Sequence, residues 1–469
     1  MMMKIRRMAP LLFAALMLAS CSPASSPAPA PSSPARWSAG FGSAEIALPA
    51  SSDSPLYIAG YHNGWEVTEV RDLCRASSLW IDDGRTGTLL LSVDCVGLGS
   101  DTVGRIREKL APLFEGLPPC SIHVISTHDH AGPDTLGLWG PVGEDGKHPE
   151  ILVNLIDACE KAAADALADR KPGRLYRSDV KTEDMLRDSR DPVVWDDVLH
   201  RLRFVPDDGS AGIRVLSYGA HAESLRGANT RLSRDYPGVL CDTVAEKTGD
   251  RALFLPGAVG GLVMTREFFS PFDAEENLLY TGARLAEYAL AEADERELSP
   301  VLENRTAEFA VPLDNTVFLW YRFLGILGNE AVRSSDPEIA GETGYGLMTT
   351  LSVLSLGETS LLLIPGEIFP ELVFGGGRET PAWPEVENPE PLASIMERYV
   401  LWDFFAVGLS DDELGYIVPP NDFLVHETSP YLEQAEPADG SRHYEETNSV
   451  GKRCAPKIAE ELEKLLKKG

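Results

Sequence analysis

The chain has 469 residues, 43% of them hydrophobic and 24% charged, with a formal net charge of -30 at pH 7. That composition is ordinary for a globular protein, and the length accommodates two or three average domains or one large α/β domain. So acidic a surface argues against nucleic acid as a partner, because phosphate binding needs clustered basic residues, and it repels anionic lipid headgroups.

The first 20 residues read as a targeting segment. Lys4, Arg6 and Arg7 form a basic start, and Pro10 to Leu18 is an apolar run too short to span a bilayer. It closes on Leu18-Ala19-Ser20-Cys21, which is similar to the lipobox of bacterial lipoproteins. That resemblance implies cleavage before Cys21, acylation of Cys21 and a lipid-anchored place in the bacterial cell envelope, on the outer membrane or another extracytoplasmic face. Residues 21–36 are rich in Pro, Ser and Ala, cannot bury enough apolar surface to fold, and are expected to act as a tether. From Trp37 to Gly469 no second linker, repeat or charge block appears, so residues 37–469 are expected to be one domain. With Cys21 acylated, Cys74, Cys95, Cys120, Cys159, Cys241 and Cys454 remain, free to pair outside the cytoplasm in connectivities that spacing does not choose between. No C-x-x-C occurs, which argues against a thiolate zinc site.

Within the domain, strand and helix patterns alternate. Thr88–Val93 reads as a strand, Val103–Phe114 as a helix with Val103, Ile106, Leu110 and Leu113 on one face, and Ile122–Ile125 as a strand. A long helix follows near Ile151–Ala168. Ile213–Leu216 and Leu253–Leu255 are strands around a helix near Gly238–Lys247 that ends at Gly249, and another helix covers Leu278–Ala291. Leu351–Leu356 and Ser360–Ile364 form a hairpin across Gly357, Phe404–Val407 is a buried strand, and Lys457–Lys467 is a closing amphipathic helix. Such alternation predicts a single layered α/β domain, a mixed β-sheet flanked by helices, with ligands at the strand ends. The run Val317–Gly328 is the most apolar of the domain; its shortness favours buried core over a lid or lipid-entry wall.

Four strands run into polar turns that carry chemistry. After Ile122–Ile125 come His128 and His130; after Ile213–Leu216 comes His221; after Ser360–Ile364 comes Glu367; after Phe404–Val407 comes Tyr416. Residues i and i+2 of extended chain point the same way, so His128 and His130 can face one site. Two or three imidazoles and a carboxylate, with room for water, have the composition of a catalytic zinc site.

These residues make the chain resemble the catalytic domain of the neutral/alkaline, non-lysosomal ceramidases. The family's T-H-x-H-x-G-P is similar to Thr127–Pro133, its P-G-E to Pro365-Gly366-Glu367, and its G-L-x-N-x-x-x-x-Y to Gly408–Tyr416, with Asp411 in place of Asn. Tyr444-Glu445 followed by Asn448-Ser449 is loosely similar to the family's Y-E-x-x-S. The resemblance implies one Zn2+ per chain held by His128, His221, Glu367 and Tyr416, with His130 beside it as a catalytic group. It implies hydrolysis of the amide bond of ceramide or a related N-acyl lipid, a small amphipathic substrate. The family's proposed serine falls at Gly257 and its acidic neighbour at Gly261, so the expected chemistry rests on zinc-activated water. Tyr416 and His130 would assist the oxyanion and the leaving amine, Glu223 being a second acid candidate, with backbone N–H groups near Gly257 and Gly260 as oxyanion donors. The readings kept beside this one are a zinc hydrolase of a non-lipid amide or ester and a non-catalytic ligand-binding envelope lipoprotein.

Overall fold

The computed structural model describes residues 36–50, 54–116, 121–269, 273–399 and 403–468. The targeting segment, Cys21, nearly all of the tether and Cys120 lie outside the described residues. Two mixed sheets make the frame. The larger runs in the order Arg251–Pro256, Ile213–Tyr218, Val198–Pro206, Lys171–Lys181, Trp37–Glu45, Arg75–Asp82, Gly87–Val93, Ile122–Ser126, with Arg296–Glu297 paired to Lys171–Lys181. The smaller runs Leu302–Leu313, Tyr345–Leu356, Thr359–Leu363, Phe404–Val407, with Ala331–Arg333 added to Tyr345–Leu356.

The alternation of side chains along each strand sets the layers. Leu79, Ile81 and Leu90 of the larger sheet meet Leu354, Leu361, Leu363 and Phe405 of the smaller in one buried cluster, so the sheets pack face to face. The intervening residues Ala76, Leu89, Leu91 and Val93 point outward, against the helices Ser100–Leu110 and Pro149–Ala168. On the far side, Val353 and Leu362 pack with Ile395, Met396, Ile458 and Leu462 of Leu392–Tyr399 and Cys454–Lys467. The result is helix, sheet, sheet, helix. Central strands buried on both faces explain why Thr88–Val93 reads as almost unbroken apolar sequence. Asp235–Thr248 ends at Gly249, whose φ of 77° is the left-handed geometry that glycine supplies at a helix end. Among the described residues Cys74, Cys95, Cys159, Cys241 and Cys454 are buried free thiols, so none of the pairings open among these five forms. Among the described residues no helix is long and apolar enough to cross a membrane.

The Val317–Gly328 expectation needs correction. Phe318, Ile326 and Leu327 are buried, but Trp320, Phe323 and Leu324 are 63%, 65% and 50% exposed. Thr316–Phe323 is a helix, and a helix laid on a surface hides only one side of an apolar run.

Within these two sheets three pairs of neighbouring strands are parallel: Gly87–Val93 with Ile122–Ser126, Ile213–Tyr218 with Arg251–Pro256, and Thr359–Leu363 with Phe404–Val407. The loops after them are stitched together by backbone hydrogen bonds. Ser126 N donates to Leu409 O (3.1 Å), Ser410 N to Ile364 O (2.9 Å), Gly408 N to Pro256 O (3.1 Å) and His130 N to Ala222 O (2.9 Å). Asp411 makes the tightest of these seams. Its N–H donates to Val124 O at 2.7 Å. Its carboxylate accepts from Val124 N (2.8 Å), faces His123 Nδ1 (2.9 Å) and pairs with Arg107 (2.7 Å). Burial alone would raise its pKa, but Arg107 and His123 hold it below the usual carboxylate value.

Removing the Asp411 carboxylate strands a cation and a buried N–H, so Asp411→Ala is expected to destabilise the fold by about 3 kcal/mol or more in urea unfolding. Asp411→Asn, which keeps an acceptor, is expected to cost less. Because the folded-state pKa is depressed, this stabilisation is in place above about pH 4, the unfolded value, and lost as pH falls through the folded one. Wild-type and variant stabilities should therefore converge on acidification.

Candidate metal centre

The strand Ile122–Ser126 gives way to a turn in which His128 takes a positive φ of 61°. That geometry turns the imidazole inward, where it is 3% exposed, and its Nδ1 lies 2.8 Å from Val96 O. His221, on the loop after Ile213–Tyr218, is fully buried and sets its Nδ1 2.9 Å from Val263 O. A carbonyl can only accept, so each Nδ1 carries a proton and each Nε2 is left to face the site. Both Nε2 atoms point at one oxygen. Glu367 Oε2 lies 3.0 Å from His128 Nε2 and 3.1 Å from His221 Nε2.

Glu367 and Tyr416 are brought side by side by a two-residue parallel ribbon, Glu367–Ile368 with Tyr416–Ile417, in which they are direct partners. The Tyr416 hydroxyl is 3.5 Å from His221 Nε2. His130 Nε2 lies 3.1 Å from His128 Nε2, and its ring packs against Gly60, where a Cβ would come within 2.5 Å of Nδ1. Glycine there makes room for the imidazole. Ligand-capable nitrogens of His128, His130 and His221 fall within 4.8 Å of one another, the one such grouping among the described residues. The five residues expected from strand ends therefore converge, and His130 stands nearer the others than a purely peripheral group would.

The electrostatics favour a cation. Burial would raise the pKa of Glu367, but His128 and His221 hold it well below the carboxylate range. His130 is driven well below the ordinary histidine value by burial and then by the other two imidazoles. Groups crowded at this distance need a positive charge among them, which a proton on His221, whose pKa Glu367 raises against the burial that lowers it, or a metal ion can supply. The three histidines could hold a metal ion, and the nitrogen and oxygen donors fit one of borderline softness.

Gly257 stands apart from this group. Its N–H donates to Tyr218 O and that of Gly260 to Ile368 O, both at 2.9 Å. The expectation that these amides serve as oxyanion donors is corrected: strand-like pairing already occupies them. A Cβ on Gly257 would meet Gly219 Cα at 2.9 Å, which accounts for glycine where a serine was sought.

The pocket beside the histidines is walled by Leu136, Leu138, Phe318, Leu327, Leu347 and Leu414, together with Tyr416, Tyr444, Asn448 and Glu413. Glu413 was not singled out from the sequence. Its Oε1 accepts from Gly415 N, while Oε2 is sealed from water without a hydrogen-bond partner. Burial first, and then the charge of Glu367, push its pKa well above the usual carboxylate value. The Tyr444 phenol is pushed up to about 12 by burial and Glu367, and that of Tyr416 is raised well above its ordinary value for the same reasons. Glu223 closes the rear of His130, its Oε2 being 3.9 Å from Nδ1 and hydrogen-bonded to the Tyr61 hydroxyl. A charged residue at the tip of a motif turn was the available sign for Glu413; nothing local marked Tyr61.

No protein-family model matches the chain, and no curated protein matches it. Solved structures do. The crystal structure of neutral ceramidase from Pseudomonas aeruginosa aligns with a TM-score of 0.70 at 14% identity, covering 93% of this chain and 75% of that one. A ceramidase complexed with C2 aligns with a TM-score of 0.68, again at 14% identity, covering 92% and 76%. The chain therefore has the neutral ceramidase fold.

Chelation should remove a divalent metal from the purified protein and lower its Tm. At a metal concentration 100-fold above Kd, binding contributes about 2.7 kcal/mol. His128→Ala and His221→Ala are each expected to weaken metal binding by more than the roughly 10–100-fold that loss of an outer hydrogen-bond partner costs, as read by elemental analysis after dialysis.

Proposed function

We propose that this chain is a zinc-dependent hydrolase of the neutral ceramidase family, cleaving the amide bond of ceramide or a related N-acyl lipid. The observation that carries the reading is the aim of His128 Nε2 and His221 Nε2 at one Glu367 oxygen beside an apolar pocket, in a chain of this fold. In this reading His128, His221, Glu367 and Tyr416 hold one Zn2+. When bound, zinc supplies Lewis acidity toward an acyl carbonyl and an acidified water.

The protein's own groups then divide the remaining work. Apolar residues of the pocket wall take up an acyl chain, with about 0.8 kcal/mol gained per buried methylene. Tyr444, kept protonated by burial, donates a hydrogen bond to an oxyanion forming at the carbonyl. His130, kept neutral, takes a proton from the attacking water and returns it to the leaving nitrogen. Glu413 is a second proton donor in the same pocket, since burial raises its pKa even where a cation offsets the charge on Glu367. No side-chain nucleophile is required, in keeping with glycine at position 257. The proposal extends to location: Lys4, Arg6, Arg7 and the Leu18–Cys21 motif support a lipoprotein held in the cell envelope through Cys21.

The deciding experiment is a hydrolysis screen over N-acyl lipids, soluble amides and esters, with and without chelator. Fatty acid release from ceramide, abolished by chelation and restored by zinc, is expected. His130→Ala should lower kcat by about 10²–10⁴-fold with metal retained, whereas His128→Ala should lose both. Stoichiometric zinc with turnover of soluble substrates alone would move the substrate away from lipids. Neither metal nor hydrolysis would leave a ligand-binding protein. Cys21→Ser is expected to shift the protein from the membrane fraction to the soluble one.

A further inference from the structure

The segment from Asn315 to Asn329 carries two faces of different fate. Asn315 caps the helix Thr316–Phe323, its side-chain oxygen accepting from Val317 N (2.9 Å) and Phe318 N (3.0 Å). Its amide donates to Thr447 O (3.2 Å) and Ser449 O (2.9 Å), so the helix start is fastened to the domain. Phe318 and Leu327 turn inward and form part of the pocket wall. Thr316, Trp320, Phe323 and Leu324 are exposed at the spacing i, i+4, i+7, i+8, which is a single outward stripe. On a surface helix that stripe is ordinarily polar. Here it is two aromatic rings and a leucine, each at least half exposed.

We propose that this stripe is a docking surface for a zwitterionic lipid bilayer, separate from any acyl anchor at the N-terminus. Two features of the segment select a lipid surface. The first is charge. The chain has 72 acidic residues, yet none lies between Asn315 and Asn329, so no carboxylate on this segment opposes approach to phosphate headgroups. Its one cation, Arg322, is engaged with Asn329 O at 2.6 Å. The adjoining loop is different. The loop after Asp134 is tied to the same segment by Lys147 Nζ, which donates to Ile326 O, and it exposes Val142 (83%) beside Glu144 and Asp145. Those carboxylates, with the net charge of -30, disfavour an anionic membrane and leave a neutral headgroup layer as the fitting one. The second is chemistry and continuity. Tryptophan and phenylalanine on a short fixed helix suit the headgroup boundary, and the same residues' neighbours run into the apolar pocket. A lipid leaving the bilayer across this stripe passes from one apolar environment to another.

The test reads Trp320 directly and so does not depend on how the rest of the chain is held to the membrane. The full chain is mixed with phosphatidylcholine vesicles whose acyl chains are brominated, and tryptophan quenching is compared between wild type and Trp320→Phe. The chain has eight tryptophans, so the difference between the two proteins isolates this one. Quenching that is present in wild type and largely lost in Trp320→Phe is expected. Equal quenching in the two, or none, overturns the proposal. So does quenching as strong on phosphatidylglycerol vesicles as on phosphatidylcholine. A second variant, Phe323→Glu with Leu324→Glu, is expected to lower hydrolysis of vesicle-embedded ceramide at least about tenfold, a difference of 1.4 kcal/mol, and to leave a soluble short-chain substrate unaffected. That arm rests on the hydrolase reading above, whereas the quenching arm does not; absence of any hydrolysis by the wild type, with its Trp320 quenching present, would count against the hydrolase and for the docking surface. If the double variant instead converts a wild-type dimer into a monomer by light scattering, with no Trp320 quenching, the stripe is a contact between copies and the proposal falls.

Discussion

The Asp411 carboxylate joins parts of the chain that are nearly 300 positions apart. Backbone and side chain together grip Val124, and the charge is met by Arg107 and His123. This seam lies where the edge of the larger sheet meets the smaller one, four residues before His128 and five before Tyr416. Both site-bearing turns depart from it. A buried carboxylate with three partners is costly to form and more costly to break, which makes the spacing of the two turns hard to relax. Asparagine, the residue of the resembling motif, could make the contact with Val124 but could not neutralise Arg107. Acid at this position and a cation on the Ser100–Leu110 helix are therefore one local solution.

Around that seam the histidine cluster is a problem in crowding titratable groups together. Nδ1 protons fixed by Val96 O and Val263 O oblige His128 and His221 to turn Nε2 on a carboxylate. Such an arrangement is favourable around a positive charge, whether a proton or a metal ion, and the surrounding apolar wall intensifies the effect by excluding water. The same exclusion raises the pKa of Tyr416, Tyr444 and Glu413, which favours their protonated forms. One environment thus yields an acceptor cluster on one side and a set of hydrogen-bond donors on the other, the division that acyl transfer needs.

Much of the architecture is written locally. Period-two and period-3.6 patterns locate the central strands and the long helices to within a few residues, because each buries one face or both and punctuating glycines such as Gly249 and Gly357 end them. What the pattern does not separate is a two-sheet frame from one sheet, since an inward residue looks the same whatever layer it meets. The Val317–Gly328 run shows a second limit. Hydrophobicity there served two surfaces, and an outward Trp320 is indistinguishable in sequence from a core tryptophan. Gly257 shows a third: a glycine that could have freed its amide for a substrate instead lies against Gly219 with the amide in a ladder bond.

By itself the sequence determined the residue types at the strand ends, the order in which they come and the alternation that puts them at one edge of an α/β frame. Those are consequences of local geometry and of turn chemistry, which act over a few neighbours. Tertiary structure alone decided the rest: that Glu367 and Tyr416 are cross-strand partners, that His130 joins the other imidazoles, that Glu413 faces the pocket and that Trp320 faces solvent. Each of these depends on how two sheets are stacked and which loops cross, and burial and electrostatics at a point are set by groups distant in the chain.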